Sequence, residues 1–211
     1  MSETTASKIQ ILLEKAARQN ESPTREASSV AGASRLCQSE TETEELFSRF
    51  HQKLFRINQW NNESAISSFE LFDEKGDSQP ERRAVLGDFI KITLPGSGKS
   101  DWVKIIEIDE TPDEIVLSVR PSYDPTDKTR EKTVSHFFDD EATNNFCLQR
   151  IKEKLNFYVI GLKEKTNTDE TEGVIETARN FATANLGRYL GIQKIQWKTF
   201  CENFLENETD K

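Results

Sequence analysis

The run Thr93-Leu94-Pro95-Gly96-Ser97-Gly98-Lys99-Ser100, continued by Asp101-Trp102-Val103-Lys104-Ile105-Ile106-Glu107-Ile108-Asp109, decides between two folds. Its first part matches the phosphate-loop pattern Gly-x-x-x-x-Gly-Lys-Ser at every defined position except the first, where Thr93 replaces glycine. In a nucleotide enzyme such a loop follows a strand and opens a helix, whose N-terminal amides hold the phosphates. The residues after Ser100 are instead β-branched and aromatic, the composition of a strand. The loop is therefore expected to be a hairpin tip, in which Pro95, Gly96 and Gly98 serve the turn. Ile105 to Glu110 imitates the apolar strand and acidic end that hold magnesium in such enzymes, but it begins five residues after Ser100. No crossover helix fits in that gap, so nucleotide hydrolysis is disfavoured.

Working outward, Phe89 to Leu94 alternates Ile90, Ile92 and Leu94 with Lys91 and Thr93, which predicts a sheet with one wet face. Trp102 to Ile108 and Glu114 to Arg120 follow as strands joined by a Pro112 turn, and Asn144 to Ile151 with Leu155 to Leu162 read as a hairpin around Lys152-Glu153-Lys154. Ala65 to Phe72 precedes them, and Thr133 to Phe138 is a further short candidate. Helical periodicity places Leu46, Phe47, Phe50, Leu54 and Ile57 on one face of a helix opened by Thr43 and ended near Trp60. A second helical stripe begins after Gly173, and a third contains Trp197, Phe200, Cys201, Phe204 and Leu205.

The pattern predicts an α+β fold: an antiparallel meander of six or seven strands against one N-terminal and two C-terminal helices. A helix-grip, START-like sheet curled over a helix and an open sheet covered by helices both satisfy it. The long N-terminal strand expected of the first is not evident.

All thirteen phenylalanines, three tryptophans and three tyrosines lie between Phe47 and Phe204. Residues 1–43 are accordingly read as a flexible segment, 44–206 as one domain and 207–211 as a charged tail. Within the first segment Ser7 caps a short amphipathic helix with Ile9, Leu12, Leu13 and Ala16 on one face, and Asn20 to Thr43 reads as a linker. Ile9, Leu12 and Leu13 are candidates for docking a protein partner's groove; packing on the chain's own domain is the other reading.

Among 211 residues, 37 acidic and 28 basic side chains give a net charge of −9, with a pI near 5.0 and mean hydropathy of −0.69. That balance argues against nucleic acid and anionic membranes as partners. No apolar run approaches the length of a spanning helix, and Ile9 to Leu13 is too short for a secretory signal. Cys37, Cys147 and Cys201, with His51 and His136, have no zinc spacing, so a reducing cytoplasmic setting and no metal or cofactor are expected.

Trp102, Arg120, Tyr123 and His136 are candidates to line a small-molecule site near the sheet. His136 precedes Asp139-Asp140-Glu141, but neighbouring carboxylates on a strand diverge, which disfavours a cation cage. No serine has a histidine and an acid at recognisable spacing. The leading expectation is a non-catalytic binding or interaction domain; a carrier or small enzyme is the alternative.

Gly87-Asp88-Phe89-Ile90-Lys91-Ile92, Leu94-Pro95-Gly96, Asp101-Trp102-Val103, Val119-Arg120-Pro121, His136 to Thr143 and Gln193 to Trp197 together resemble a family of uncharacterised bacterial proteins, over roughly residues 46–205. The resemblance implies a bacterial setting and no assigned activity. Where family members read Pro-Gly-Pro, this chain has Pro95-Gly96-Ser97, so its Gly-Lys-Ser ending is its own feature.

Overall fold

The computed structural model describes residues 6–21, 28–64, 67–93, 100–129, 141–164 and 196–206. Its elements are helix α1 (Lys8–Glu21), strand β1 (Ser29–Leu36), helix α2 (Glu40–Leu54), a 3-10 turn (Ile57–Asn62), strands β2 (Ser68–Phe72), β3 (Phe89–Thr93), β4 (Ser100–Glu110), β5 (Glu114–Pro121), β6 (Thr143–Ile151) and β7 (Lys154–Leu162), and helix α3 (196–206). One seven-stranded antiparallel sheet runs β1-β7-β6-β5-β4-β3-β2. The residues after Ser100 form a strand, and Thr93 pairs with Ser100, so β3 and β4 are antiparallel neighbours as expected. The Gly-Lys-Ser residues up to Lys99, His136, the candidate strand 133–138 and the helix expected after Gly173 lie outside the described residues.

The linker reading is corrected at residues 29–36. Ser29-Val30-Ala31-Gly32-Ala33-Ser34-Arg35-Leu36 is β1, paired in unbroken register with β7 from Ser29 opposite Gly161 to Leu36 opposite Lys154. Small side chains made this stretch look like a spacer, yet they suit its position: a Cβ on Gly32 would stand 2.6 Å from the Tyr158 ring. β1 is the missing N-terminal strand, and it brings the described strands to seven.

The helix cap is corrected too. Ser39, not Thr43, caps α2, its side chain accepting from Glu42 N, while Glu42 Oε2 accepts from Gln38 N at 2.5 Å. Thr43 is fully buried, its hydroxyl donating to Ser39 O.

A single indole shows that the sheet curls. Trp60, in the 3-10 turn, lies 5.5 Å from the Phe69 ring of β2 and 4.5 Å from the Phe146 ring of β6. Those strands are four spacings apart in the sheet order, about 19 Å if the sheet were flat. Phe200 of α3 touches Trp60 and Phe69 as well as Phe146 and Phe157, so α2, the turn and α3 occupy the hollow of the sheet. This is the helix-grip arrangement, chosen over the open sheet by β1 and by that curl.

The outer face of β5, β6 and β7 is covered as well, whereas β3 keeps the expected wet side, where Lys91 lies 3.7 Å from Glu70. Ile9, Leu12 and Ala16 of α1 pack on Val116, Cys147, Ile160 and Leu162. Ser7 caps the helix through Gln10 N at 3.1 Å and also bonds Glu114, while Lys8 pairs with Glu107 and Asp109. The candidate docking stripe therefore has its partner already: Ile9 and Leu12 are buried on the chain's own sheet, and Leu13 is half-buried beside them. No helix among the described residues is long and apolar enough to cross a membrane.

Candidate ligand site

The inner face changes character along its strands. Successive rows across β1, β7, β6 and β5 read Ala33, Phe157, Leu148, Ile115, then Ala31, Val159, Phe146, Leu117, and finally Ser29, Gly161, Asn144, Val119. The first two rows are small or apolar and are filled by α3, with Phe157 stacked on Phe204 at 4.0 Å. The third row brings two polar side chains, Ser29 and Asn144, to the inner face.

Three groups mark that polar end. Trp197, on the first turn of α3, has its ring 5.5 Å from Phe146, and its Nε1–H is buried with no hydrogen-bond partner among the described residues. Asn144 stands two residues from Phe146 on the same face, about 7 Å along the strand, and its Oδ1 is buried and likewise unpaired among the described residues. The Glu164 side chain, 8 % exposed, folds over Gly161. An added Cβ at Gly161 would stand 2.1 Å from Glu164 Oε1 and 2.6 Å from Ser29 Oγ, so the absent side chain is what admits the carboxylate. The site thus offers one donor, an unpaired amide oxygen and a shielded carboxylate beside aromatic walls. Leaving a buried donor or acceptor unmade costs on the order of 1–3 kcal/mol.

A second polar group lies deeper. Lys53 Nζ of α2 is 2.7 Å from Glu63 Oε1 and 3.0 Å from Phe204 O, with the Phe204 ring 4.8 Å away. Burial lowers the Lys53 pKa below its ordinary value, against the pull of Glu63. Asn203 Nδ2 donates to Glu63 O at 2.9 Å. The ammonium therefore ties α2, the residue after the 3-10 turn and the carbonyl end of α3 together, where a helix terminus favours positive charge. Its role is to hold the helices in the hollow.

The structure does not bring the four expected ligand residues to this end. Trp102 packs edge-on to Phe72 at 5.0 Å, on the outer face of the sheet. Tyr123 lies against Phe89 at 5.3 Å, and Lys104 Nζ stands over that ring at 5.2 Å. Arg120 is exposed on β5, opposite Lys104. These three share the outer face, and His136 is outside the described residues. In the sequence Trp197 belongs to an apolar helical stripe, which reads as core, and nothing in the spacing of Asn144 or Glu164 singles them out. No cluster of histidine, cysteine, aspartate or glutamate among the described residues is arranged to hold a metal ion.

The cysteines do no chemistry at this end. Burial pushes the Cys201 thiol up to about 12 and Cys147 higher still, whereas Cys37 is half-buried beside β1. The thiolate is the reactive form, so titration of the native protein with an aromatic disulfide reagent should modify Cys37 alone, and all three thiols after denaturation. Fast modification of two or more thiols in the native state would contradict this burial.

Neither a family model nor a curated protein matches the chain. Solved structures do. A hypothetical protein from Helicobacter pylori aligns over 98 % of this chain and 96 % of its own at 8 % identity, with a TM-score of 0.50. Major latex-like protein 151 from Panax ginseng aligns over 87 % of this chain and 99 % of its own, at 12 % identity and a TM-score of 0.42. Norcoclaurine synthase from Thalictrum flavum, solved with dopamine and hydroxybenzaldehyde, aligns over 100 % and 99 % at 10 % identity and 0.40. The likeness to the Helicobacter protein is one of fold alone, and the two plant proteins, more distant in TM-score, add nothing to it.

Proposed function

We propose that the chain is a non-catalytic binding protein that takes a small, largely apolar molecule at the polar end of the hollow. The observation that carries this reading is the pair of buried atoms Trp197 Nε1 and Asn144 Oδ1, both without a hydrogen-bond partner among the described residues. The indole N–H requires an acceptor, while the amide oxygen requires a donor. The matching ligand is a flat ring with a hydroxyl or amine at one end and an acceptor within reach of Trp197. The described residues around it include no nucleophile paired with a base, which favours binding over turnover.

The reading is tested by ligand-observed NMR with a panel of phenols, arylamines and arylcarboxylates. Phenols or arylamines should bind saturably and arylcarboxylates more weakly, because a second carboxylate would face Glu164. Trp197→Phe keeps the ring and removes the donor; it should weaken binding roughly tenfold, as loss of one buried hydrogen bond does, with the melting temperature nearly unchanged. Absence of saturable binding across the panel, or binding indifferent to Trp197→Phe, would exclude this site.

A further inference from the structure

β7 ends with Leu162 on the outer face under α1, and the chain then turns at Lys163, whose φ is 53°. Had the backbone stayed extended, residue 163 would have followed Gly161 on the inner face and residue 164 would have pointed outward. The turn reverses this. It brings the Glu164 carboxylate back over Gly161, where Glu164 Oε1 and Ser29 Oγ both stand within 2.6 Å of the place a Cβ would take. A left-handed backbone is unfavourable for lysine and lasts only where its surroundings hold it.

Part of what holds it is α1. Gln19 Oε1, in the last turn of that helix, accepts from the Lys163 backbone N–H at 3.2 Å, while Lys163 Nζ pairs with Glu141 at 3.2 Å. The same end of α1 holds the opposite wall. Ser28 Oγ donates to Ala16 O at 2.6 Å and Ser28 N to Asn20 Oδ1 at 3.4 Å, and the next residue is Ser29. The start of β1 and the exit of β7, which flank the polar end of the hollow, are therefore tied to one helix on the other face of the sheet.

We propose that Gln19 is a positioning residue for Glu164, and that α1 through it sets the charge preference of the candidate site, for cationic over anionic aromatic ligands. The inference rests on the binding reading above and adds a control to it. With Gln19 in place, the carboxylate stands at the end of the hollow and favours an ammonium there. Without that acceptor Lys163 relaxes toward extended backbone, and Glu164 leaves Gly161 for solvent. Trp197 and Asn144 lie on α3 and β6, outside the turn, and keep their places.

The experiment measures phenol, benzylamine and benzoate by ligand-observed NMR on the full-length chain. Phenol reports the site itself, because its hydroxyl accepts from Trp197 and donates to Asn144 without using charge. The ratio of benzylamine to benzoate affinity reports the placement of Glu164. Benzylamine should bind roughly tenfold more tightly than benzoate, and Glu164→Gln should remove most of that difference. Gln19→Leu deletes the acceptor without adding charge. It should lower the ratio severalfold and leave phenol affinity and the melting temperature nearly unchanged. Hydrogen exchange of the Lys163 amide should quicken roughly fivefold, the weight of one hydrogen bond. Gln19→Glu, which still accepts, should keep both the ratio and the protection. A ratio unchanged by Gln19→Leu or by Glu164→Gln, in a protein whose phenol binding is weakened by Trp197→Phe, would overturn this inference and leave the site standing. Absence of saturable phenol binding would remove the site and this inference with it.

Discussion

Replacing Lys53 with methionine is expected to destabilise the protein by about 3–5 kcal/mol, because it leaves the Glu63 carboxylate buried without its cation. Glu63 is 0 % exposed and Lys53 only 4 %, so water cannot substitute for the lost partner. The same change removes the hydrogen bond to Phe204 O and the ammonium over the Phe204 ring, which loosens α3 from α2. Glu63→Gln should cost less than Lys53→Met, since a neutral amide can still accept from the ammonium. Lys53→Met with Glu63→Met should recover most of the loss, as apolar replacements of buried ion pairs commonly do. Denaturant unfolding monitored by tryptophan fluorescence measures all three. A loss below about 1 kcal/mol for Lys53→Met, the scale of an exposed pair, would mean that water reaches the carboxylate. The pH dependence has a defined sign. Burial lowers the Lys53 pKa, so the unfolded chain holds that proton more tightly. The cost of the buried ammonium stands in full below the folded pKa and is relieved as pH rises from there toward 10.5, so this group makes stability increase through that window. The double methionine variant should lack that increase.

The hairpins were legible in the sequence because their signals are local. Alternation around Lys152-Glu153-Lys154 and the strand character after Ser100 needed no tertiary information, and β3 to β7 lie where they point. β1 was not legible for a tertiary reason. Its residues have low strand propensity, and only the Tyr158 ring over Gly32 and the hollow beneath Ala31 and Ala33 make small side chains the suitable ones. The covered outer face had a readable trace: Phe157 to Leu162 is apolar almost without interruption, the mark of a strand buried on both sides, and α1 is what buries it. The candidate site was least legible. An indole reads as core whether or not its N–H finds a partner, and a lysine in an amphipathic helix reads as solvated. Trp197 and Lys53 reveal themselves only once α3 is placed against Phe146 and Glu63.

The division of the N-terminal region carries the other large effect, since a linker can be removed and a strand cannot. A chain beginning at Glu44 should show no cooperative thermal transition. It lacks β1, whose pairing with β7 includes every residue from Ser29 to Leu36, and it lacks the first turn of α2 with its Ser39 cap. β7 would then become an edge strand with Phe157 and Val159 losing the cover of Ala31 and Ala33, an apolar edge prone to aggregate. A chain beginning at Ser28 removes only α1. It uncovers Val116, Cys147, Ile160 and Leu162 and gives up the burial of Ile9 and Leu12, about 1.5–3 kcal/mol for each side chain, but leaves the inner core and all seven strands in place. That chain should still fold, with a melting temperature lower by roughly 6–20 °C for a domain of this size and with increased binding of a hydrophobic dye. Circular dichroism melts of the two truncations beside the full-length chain separate the possibilities. If the chain from Glu44 melts as sharply as the full-length protein, β1 contributes nothing to the domain and the linker reading is restored. If the two truncations fail alike, α1 is as necessary to the fold as β1, and the outer face is a second core.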